Sequence, residues 1–225
     1  MTSTPAHADR ASGPTRRGRP PKTSHDDVLA AALRIADSEG LAALSMRRLA
    51  DELGLATMTL YNYVPTKEDI LDRMGEVALG SLDIEPGADE TWDHTVFTAM
   101  VGVYAALREH PCGIELIGSA QPITGPAVDR LRNRLLTTLY EAGFQAEAAV
   151  DTTTMLFSYV IGTATVETSR TRRSARLKEH VESLQTEDFP ALTADPSAWV
   201  HPLPNKVFEY GLQALIDTMS RNLRS

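Results

Sequence analysis

The chain has 225 residues and a formal net charge of −8 at pH 7, with 42% hydrophobic and 23% charged residues. These proportions are typical of a soluble globular protein, and no run approaches the roughly 18 apolar residues of a membrane span. The lone cysteine, Cys112, excludes an intrachain disulfide and predicts no cysteine-based metal site. The N-terminus lacks the apolar core of a signal peptide, so we expect a cytoplasmic protein.

Residues 1–23 are polar, contain four prolines and are predicted to form a disordered arm. Residues 10–25 contain five basic side chains and no acidic one, whereas residues 81–225 contain 12 basic and 19 acidic ones. Because nucleic-acid binding depends on local patches, the negative total does not argue against it. An extended arginine-rich strand suits a narrow minor groove, and a solvated charge run is the alternative. The predicted DNA contacts of the arm are Arg16, Arg17, Arg19 and Lys22.

Two capping patterns predict helix starts in the first third of the chain. Ser24 followed by Asp27 indicates the start of a first helix, which ends at Gly40. Thr66 followed by Asp69 repeats the pattern and starts a fourth helix that continues to about residue 82. The acidic turn that follows, residues 83–90, is the predicted domain boundary.

Residues 45–67 predict two short helices joined by a tight turn. The first helix has Leu49 and Leu53 on its apolar face, and Gly54 provides the backbone freedom that a helix end needs. The apolar stripe of the second helix consists of Ala56, Leu60 and Val64. Its outward residues are Thr57, Met58, Tyr61 and Asn62. Such a helix suits insertion into a DNA major groove, and an ordinary helical hairpin is the alternative.

These residues also resemble the DNA-binding domain of the tetracycline-repressor (TetR) family. The resemblance is closest over residues 24–75 and is carried by the runs LSMRRLA at 44–50, LGL at 53–55, TLYNYV at 59–64 and by Lys67. It implies an all-α protein with two domains. An N-terminal three-helix domain with a helix-turn-helix motif, residues 24–82, would bind DNA. A C-terminal helical domain, residues 83–225, would bind an effector and form a dimer.

The resemblance also implies roles for single residues. Arg47 would reach a guanine edge, because its forked donors suit O6 and N7. Thr57, Met58 and Tyr61 match positions that face base edges, and Thr59, Tyr63 and Lys67 match positions that contact phosphates. Asn62 stands where the tetracycline repressor has a tryptophan. The DNA-binding residues assigned within the motif are Ser45, Arg47, Thr57, Met58, Thr59, Tyr61, Asn62, Tyr63 and Lys67.

The rest of the chain predicts helices throughout, without strand alternation. The predicted elements are a helix with a stripe from Val96 to Leu107 that stops at His110, a short segment at 113–119, a helix closed by Gly143, a long apolar helix at 146–169 and a last helix at 205–222. The arginine-rich stretch 170–178 is interpreted as a solvated helix end favoured by the helix dipole. Residues 186–204, with four prolines, are predicted to be a long irregular connection.

Two of these helices are candidates for a dimer interface. Apolar residues in the last helix recur at helical spacing, and Gly162 in the long helix would allow close helix approach. The resemblance implies that two such helices from each subunit form a four-helix interface, and an intramolecular core seam is the alternative. The residues assigned to this interface are Phe157, Ile161, Gly162, Phe208, Leu212, Leu215 and Met219.

An effector pocket is predicted where a few polar residues are embedded in apolar helices, as in drug-sized sites. Its assigned residues are Trp92, Phe97, Met100, Tyr104, Ile117, Thr153, Phe157 and Thr163. Each threonine, taken alone, is more typical of a hydrogen bond to the helix backbone. The tetracycline repressor has an HLG turn where residues 116–118 read LIG, so neither tetracycline nor a metal is expected.

The predicted function is that of a ligand-responsive regulator, most consistent with a repressor, that binds a palindromic operator as a homodimer. A small, mainly apolar effector would release it. No cofactor and no catalytic residue is predicted, because the sequence contains no nucleophile elbow, phosphate loop or metal motif. The alternatives are a nucleoid-type DNA-binding protein with little sequence specificity and a helical enzyme with a DNA-binding appendage.

Overall fold

The computed structural model describes residues 23–80, 90–118, 124–199 and 205–223, and all regular structure in these ranges is helical. The predicted all-α class is therefore confirmed. The helices are α1 (His25–Glu39), α2 (Met46–Glu52), α3 (Thr57–Leu60), α4 (Lys67–Gly80), α5 (Trp92–Glu109), α6 (Cys112–Ile117), α7 (Pro126–Glu141), α8 (Ala146–Glu182), α9 (Pro190–Thr193) and α10 (Asn205–Leu223). The arm at 1–22 and the boundary at 83–89 lie outside the described residues.

Both predicted capping patterns are present. The Ser24 hydroxyl accepts a hydrogen bond from the Asp27 N–H at 3.1 Å, and the Asp27 carboxylate accepts one from the Ser24 N–H at 2.8 Å. The backbone hydrogen bond from Ser24 lowers the pKa of Asp27 below its usual range. Thr66 and Asp69 make the same pair of bonds at the start of α4, each at 3.1 Å. These local bonds satisfy backbone donors that a helix start leaves free.

The N-terminal helices enclose a small core that continues into the rest of the protein. Leu49, Leu60, Ile70 and Met74 are all buried in it. Ala56, in contrast, is exposed at the N-cap of α3, so its assignment to the apolar stripe was wrong. The reason is that α3 contains only four residues, and the stripe starts inside the helix rather than at its cap.

Helices α5, α7, α8 and α10 pack together in the C-terminal part, and the predicted stripe of α5 is buried among them. As predicted, α5 stops at Glu109, before His110 and Pro111. Cys112 is buried, and this burial raises the pKa of its thiol well above the usual range. Because the thiolate is the reactive form, we infer that this cysteine is structural.

Two predictions about the end of α8 were wrong. The helix continues to Glu182 instead of ending near residue 169, so the arginine-rich stretch 170–178 lies inside the helix. The last turn contains His180 as its basic residue, and the helix-dipole interpretation therefore fails. The connection at 186–204 contains α9 and a 3₁₀ turn, Pro196–Trp199, and both contact α8. Among the described residues, no helix is long and apolar enough to cross a membrane.

Candidate DNA interface and effector region

The α2–α3 pair forms a helix-turn-helix unit whose outer surface carries large exposed side chains. Gly54 has φ +65°, a conformation that favours glycine, and it makes the tight turn possible. Leu60 is fully buried, whereas the neighbouring Met58 and Tyr61 are 76% and 43% exposed. Asn62 is exposed as well. Large side chains thus point away from the core of this unit, so they are available to a partner.

Two adjacent arginines in α2 have different environments. Arg48 forms ion pairs with Glu39 at 2.7 Å and with Glu52 at 2.8 Å. These hydrogen bonds, the one to Glu39 first, raise the pKa of Arg48 above its already high value. Arg47 is exposed and has no hydrogen bond or ion pair within the described part of the chain. Arg48 is therefore held by protein carboxylates, while Arg47 is available for an external acceptor.

The other residues assigned to DNA binding lie on or beside the same unit. Ser45 is the N-cap of α2, and its hydroxyl accepts a hydrogen bond from the Arg48 N–H at 3.1 Å. Tyr63 is half-buried, and its ring meets the ring of His25 edge-on at 5.6 Å. Thr57 and Lys67 are half-buried at the first positions of α3 and α4. Thr59 is exposed. Ser45 and Tyr63 thus have structural contacts of their own.

The residues assigned to the effector pocket divide by burial. Met100 and Tyr104 are buried, whereas Trp92, Phe97, Ile117 and Phe157 are half-buried against the core. The Trp92 ring also meets the Phe144 ring edge-on at 5.2 Å. The half-buried residues retain surface that a ligand can contact, and the two buried ones do not.

An aromatic and ionic cluster surrounds Tyr104, and most of it was missed from the sequence. The Tyr104 ring stacks on Phe208 with 3.8 Å between centroids, and the Tyr159 ring stacks on Phe208 at 5.6 Å. The Tyr104 hydroxyl donates a hydrogen bond to Glu167, whose carboxylate also lies 3.5 Å from Arg108. Burial raises the pKa of Tyr104 well above its usual range. The only sequence signal was Glu167 itself, a carboxylate in an apolar helix.

The threonines of α8 bond to the helix backbone. The hydroxyls of Thr153 and Thr163 donate hydrogen bonds to the carbonyls of Ala149 and Tyr159, each at 2.8 Å. This result confirms the interpretation of such threonines as backbone hydrogen bonders. Their assignment to the effector pocket has no separate support from this geometry.

Most of the residues assigned to the dimer interface on α10 lie inside the protomer. Phe208, Leu212 and Met219 are 1%, 0% and 8% exposed in a single chain, so they have almost no surface left for a partner. The intramolecular core seam is the correct interpretation for these three residues. Leu215 is half-buried.

On α8 the assignment to the dimer interface fits the geometry better. Phe157 and Ile161 are half-buried, and Gly162 is exposed, with no atom within 4 Å of an added Cβ. The exposed apolar side chains near them are Met155 and Val166, which are 51% and 50% exposed. These residues keep surface that a partner subunit can cover.

Two family models match the chain. The model described as "Bacterial regulatory proteins, tetR family" matches residues 28–74, the region of α1 to α4. The model described as "Tetracyclin repressor-like, C-terminal domain" matches residues 85–223. The helical fold and the helix-turn-helix unit agree with both matches, and the chain belongs to the TetR family of bacterial transcriptional regulators. It is a regulator with a DNA-binding motif and not an enzyme.

Two transcriptional regulators are similar to this protein over much of the chain. The HTH-type transcriptional repressor DrrR1 of Streptomyces coeruleorubidus is 36% identical over 149 residues, which cover 66% of this chain and 55% of that repressor. The chain therefore spans about half the length of DrrR1. An HTH-type transcriptional regulator of Saccharopolyspora erythraea is 29% identical over 210 residues, covering 89% of this chain and 86% of that protein.

Among solved structures, the fold is similar to that of ActR, a TetR family protein of Streptomyces coelicolor. The structure of ActR in complex with (S)-DNPA is 25% identical and has a TM-score of 0.69. The similarity covers 89% of this chain and 98% of that one.

Proposed function

We propose that the protein is a cytoplasmic, ligand-responsive repressor that binds a palindromic operator as a homodimer. The observation that carries this proposal is the outer surface of the helix-turn-helix unit, with exposed Met58 and Tyr61 and with Arg47, which pairs with none of the residues that the structure describes. Met58 and Tyr61 on the short second helix, with Arg47 on the helix before it, match the geometry in which side chains read base edges in the major groove. A two-fold dimer presents two such helices to two half-sites one helical turn apart.

An exposed, uncharged strip on α8 supports the homodimer. We call it the α8 strip and define it as Met155, Ser158, Gly162, Thr165 and Val166, all of which are exposed. Their spacing places them on one face of the helix. Its two apolar side chains, Met155 and Val166, are 51% and 50% exposed, and exposed apolar surface on a soluble protein can mark an interaction site. Glycine at the centre allows the backbone of a partner helix to approach closely, and we propose a second copy of α8 as that partner.

A small-molecule effector in the C-terminal part is supported by the similarity to ActR, which has been solved with (S)-DNPA. We propose that the half-buried Trp92, Phe97, Ile117 and Phe157 contribute to the effector site of this chain, which makes a mainly apolar effector the best fit. The effector can cause the protein to release DNA only if it binds one dimer state more tightly than the other. The favoured state must be the one in which the two recognition helices no longer match the operator.

The first test concerns Arg47. We expect Arg47→Ala to weaken binding to an operator duplex, selected with the wild-type protein from random sequences, by roughly 5- to 150-fold, because a bidentate base contact discriminates by about 1–3 kcal/mol. Binding to random DNA should change much less. Fluorescence anisotropy with both duplexes measures the two affinities.

Arg48→Ala is the matched control for Arg47. It removes the same side chain from the next position, but Arg48 is already paired with Glu39 and Glu52. We therefore expect a small change in stability and no change in the preferred base sequence. Equal losses of affinity for operator and random DNA in Arg47→Ala would contradict base reading. A wild-type protein that selects no sequence would instead favour the nucleoid-type alternative.

A second test concerns the arm, which lies outside the described residues. We propose that Arg16, Arg17, Arg19 and Lys22 add minor-groove and phosphate contacts. Deleting residues 1–22 should leave the melting temperature unchanged and weaken operator binding. If the arm makes two phosphate contacts per subunit, the log–log salt slope of the dimer should fall by roughly 3–4. An unchanged slope, measured by titrations between low and moderate salt, would show that the arm only aids solubility.

A further inference from the structure

A carboxylate of the DNA-binding unit sits on the N-terminus of a helix in the C-terminal part. Glu76 of α4 accepts hydrogen bonds from the Ala127 N–H at 2.8 and 2.9 Å and from the Val128 N–H at 3.3 Å. Pro126 occupies the first position of α7 and has no N–H, so Ala127 and Val128 offer the first free donors of that helix. The negative charge also suits the positive end of the helix dipole.

Gly125 shows that the loop geometry is built around this carboxylate. It has φ +143°, a conformation that side chains rarely adopt. A Cβ at this position would also lie 2.4 Å from the nearer carboxylate oxygen of Glu76, which is too close for any contact. Gly125 is itself the N-cap residue of α7, and it has no side chain that could cap the helix. The cap of α7 is therefore supplied from α4, about fifty residues earlier in the chain.

Neighbouring contacts extend the same arrangement. Asp72, one turn before Glu76 on α4, accepts hydrogen bonds from the N–H of Thr124 at 3.0 Å and from its hydroxyl at 3.1 Å. On the other side, Asp37 of α1 accepts a hydrogen bond from the N–H of Cys112 at 3.0 Å, at the start of α6. Acidic side chains of the N-terminal unit thus hold the starts of two C-terminal helices.

We propose that Glu76 is a positioning residue that fixes the angle between the DNA-binding unit and the C-terminal helices. Helix α4 begins at Lys67, directly after the helix-turn-helix motif, and packs against α1. The angle between α4 and the C-terminal helices therefore sets the position of α3, the recognition helix. In a dimer, the two angles together set the spacing of the two recognition helices. This inference rests on the proposed operator binding by a homodimer.

The position of α7 connects Glu76 to the effector. Helix α7 contacts α5 and α8, which contain Trp92, Phe97 and Phe157, three of the residues proposed to line the effector site. A ligand that displaces the start of α7 removes the two N–H donors from Glu76. The carboxylate then loses hydrogen bonds at a partly buried position, so α4 is no longer held in the operator-binding angle. Charge-assisted hydrogen bonds are strong enough and directional enough for this role.

The test compares three variants on two duplexes. The duplexes are the palindrome selected by the wild-type protein and a duplex containing half of it. We expect Glu76→Gln to lower the affinity for the palindrome by about tenfold, which lies within the usual range of coupling between sites. The affinity for the half-site should not change, because the DNA-reading surface is intact. A purely structural role would lower both affinities together through unfolded protein.

Two further variants separate charge from geometry. Asp129→Asn removes one negative charge from the exposed first turn of α7 without touching α4, so it should bind both duplexes like the wild type. Gly125→Ala keeps all charges but places a Cβ against the Glu76 carboxylate, and it should reproduce the effect of Glu76→Gln. Circular dichroism melts confirm that each variant is folded. If Glu76→Gln does not fold, Gly125→Ala alone decides the question.

The outcomes distinguish the role of Glu76 from the proposed function. Unchanged or increased affinity of folded Glu76→Gln and Gly125→Ala for the palindrome would overturn the positioning role, as would an equal loss on palindrome and half-site. A wild-type protein that sediments as a monomer or selects no palindrome would overturn the proposed homodimeric repressor and the inference with it. Hydrogen exchange of the Ala127 and Val128 amides should accelerate in both variants, and an unchanged rate would also contradict the inference.

Discussion

Replacing Met155 with glutamate should abolish dimer formation and lower operator affinity by at least about 100-fold, the scale of avidity lost when two linked contacts become one. Met155 is 51% exposed in the single chain and lies at one end of the α8 strip. Burying a carboxylate against a second copy of this strip costs several kcal/mol, because no basic side chain of the strip can pair with it. Sedimentation velocity at micromolar concentration and operator titrations measure the two effects.

Tyr140→Glu provides the matched control for the strip. Tyr140 is 47% exposed on α7, outside the α8 strip, so it tests the effect of an added charge on an exposed apolar site. We expect this variant to remain dimeric and to bind the operator normally. A Met155→Glu protein that sediments as a dimer would show that α8 is not the interface. Leu212→Glu is unsuitable as a test, because Leu212 is fully buried within the protomer and a charge there unfolds the chain.

Replacing Phe208 with alanine should lower the free energy of unfolding by about 3–5 kcal/mol, the usual cost of removing a buried phenylalanine side chain. The ring is 1% exposed and stacks on both Tyr104 and Tyr159, so its loss leaves a cavity between three helices. Urea denaturation followed by circular dichroism gives the free energy. Both proteins must be compared at one concentration, because unfolding of a dimer depends on it.

Phe189→Ala is the control for this prediction. It removes the same ring from a position that is 46% exposed beside α9, so the expected loss is about 1 kcal/mol or less. Similar losses for the two substitutions would show that Phe208 does not contribute to the protomer core and would revive its assignment to the dimer interface.

The sequence was sufficient where structure depends on neighbouring residues. Ser24 with Asp27 and Thr66 with Asp69 form their capping bonds within one helical turn, so their spacing alone predicts them. Gly54 takes up the positive φ that the turn requires, and the stripe from Val96 to Leu107 is buried as its period indicates. The DNA-binding motif was recognisable for the same reason, since its whole geometry lies within about twenty residues.

Tertiary structure decided the features that depend on distant partners. The period of α10 defines an apolar face but not what covers it, and only packing against Tyr104 and Tyr159 places Phe208 inside the protomer. The polar end of α8 has no apolar stripe to reveal it, yet the helix continues to Glu182 and contacts both α9 and the Pro196–Trp199 turn. Glu76 and Gly125 carry no signal in sequence either, because the hydrogen bonds that Glu76 accepts beside Gly125 form only when α4 meets α7 in space.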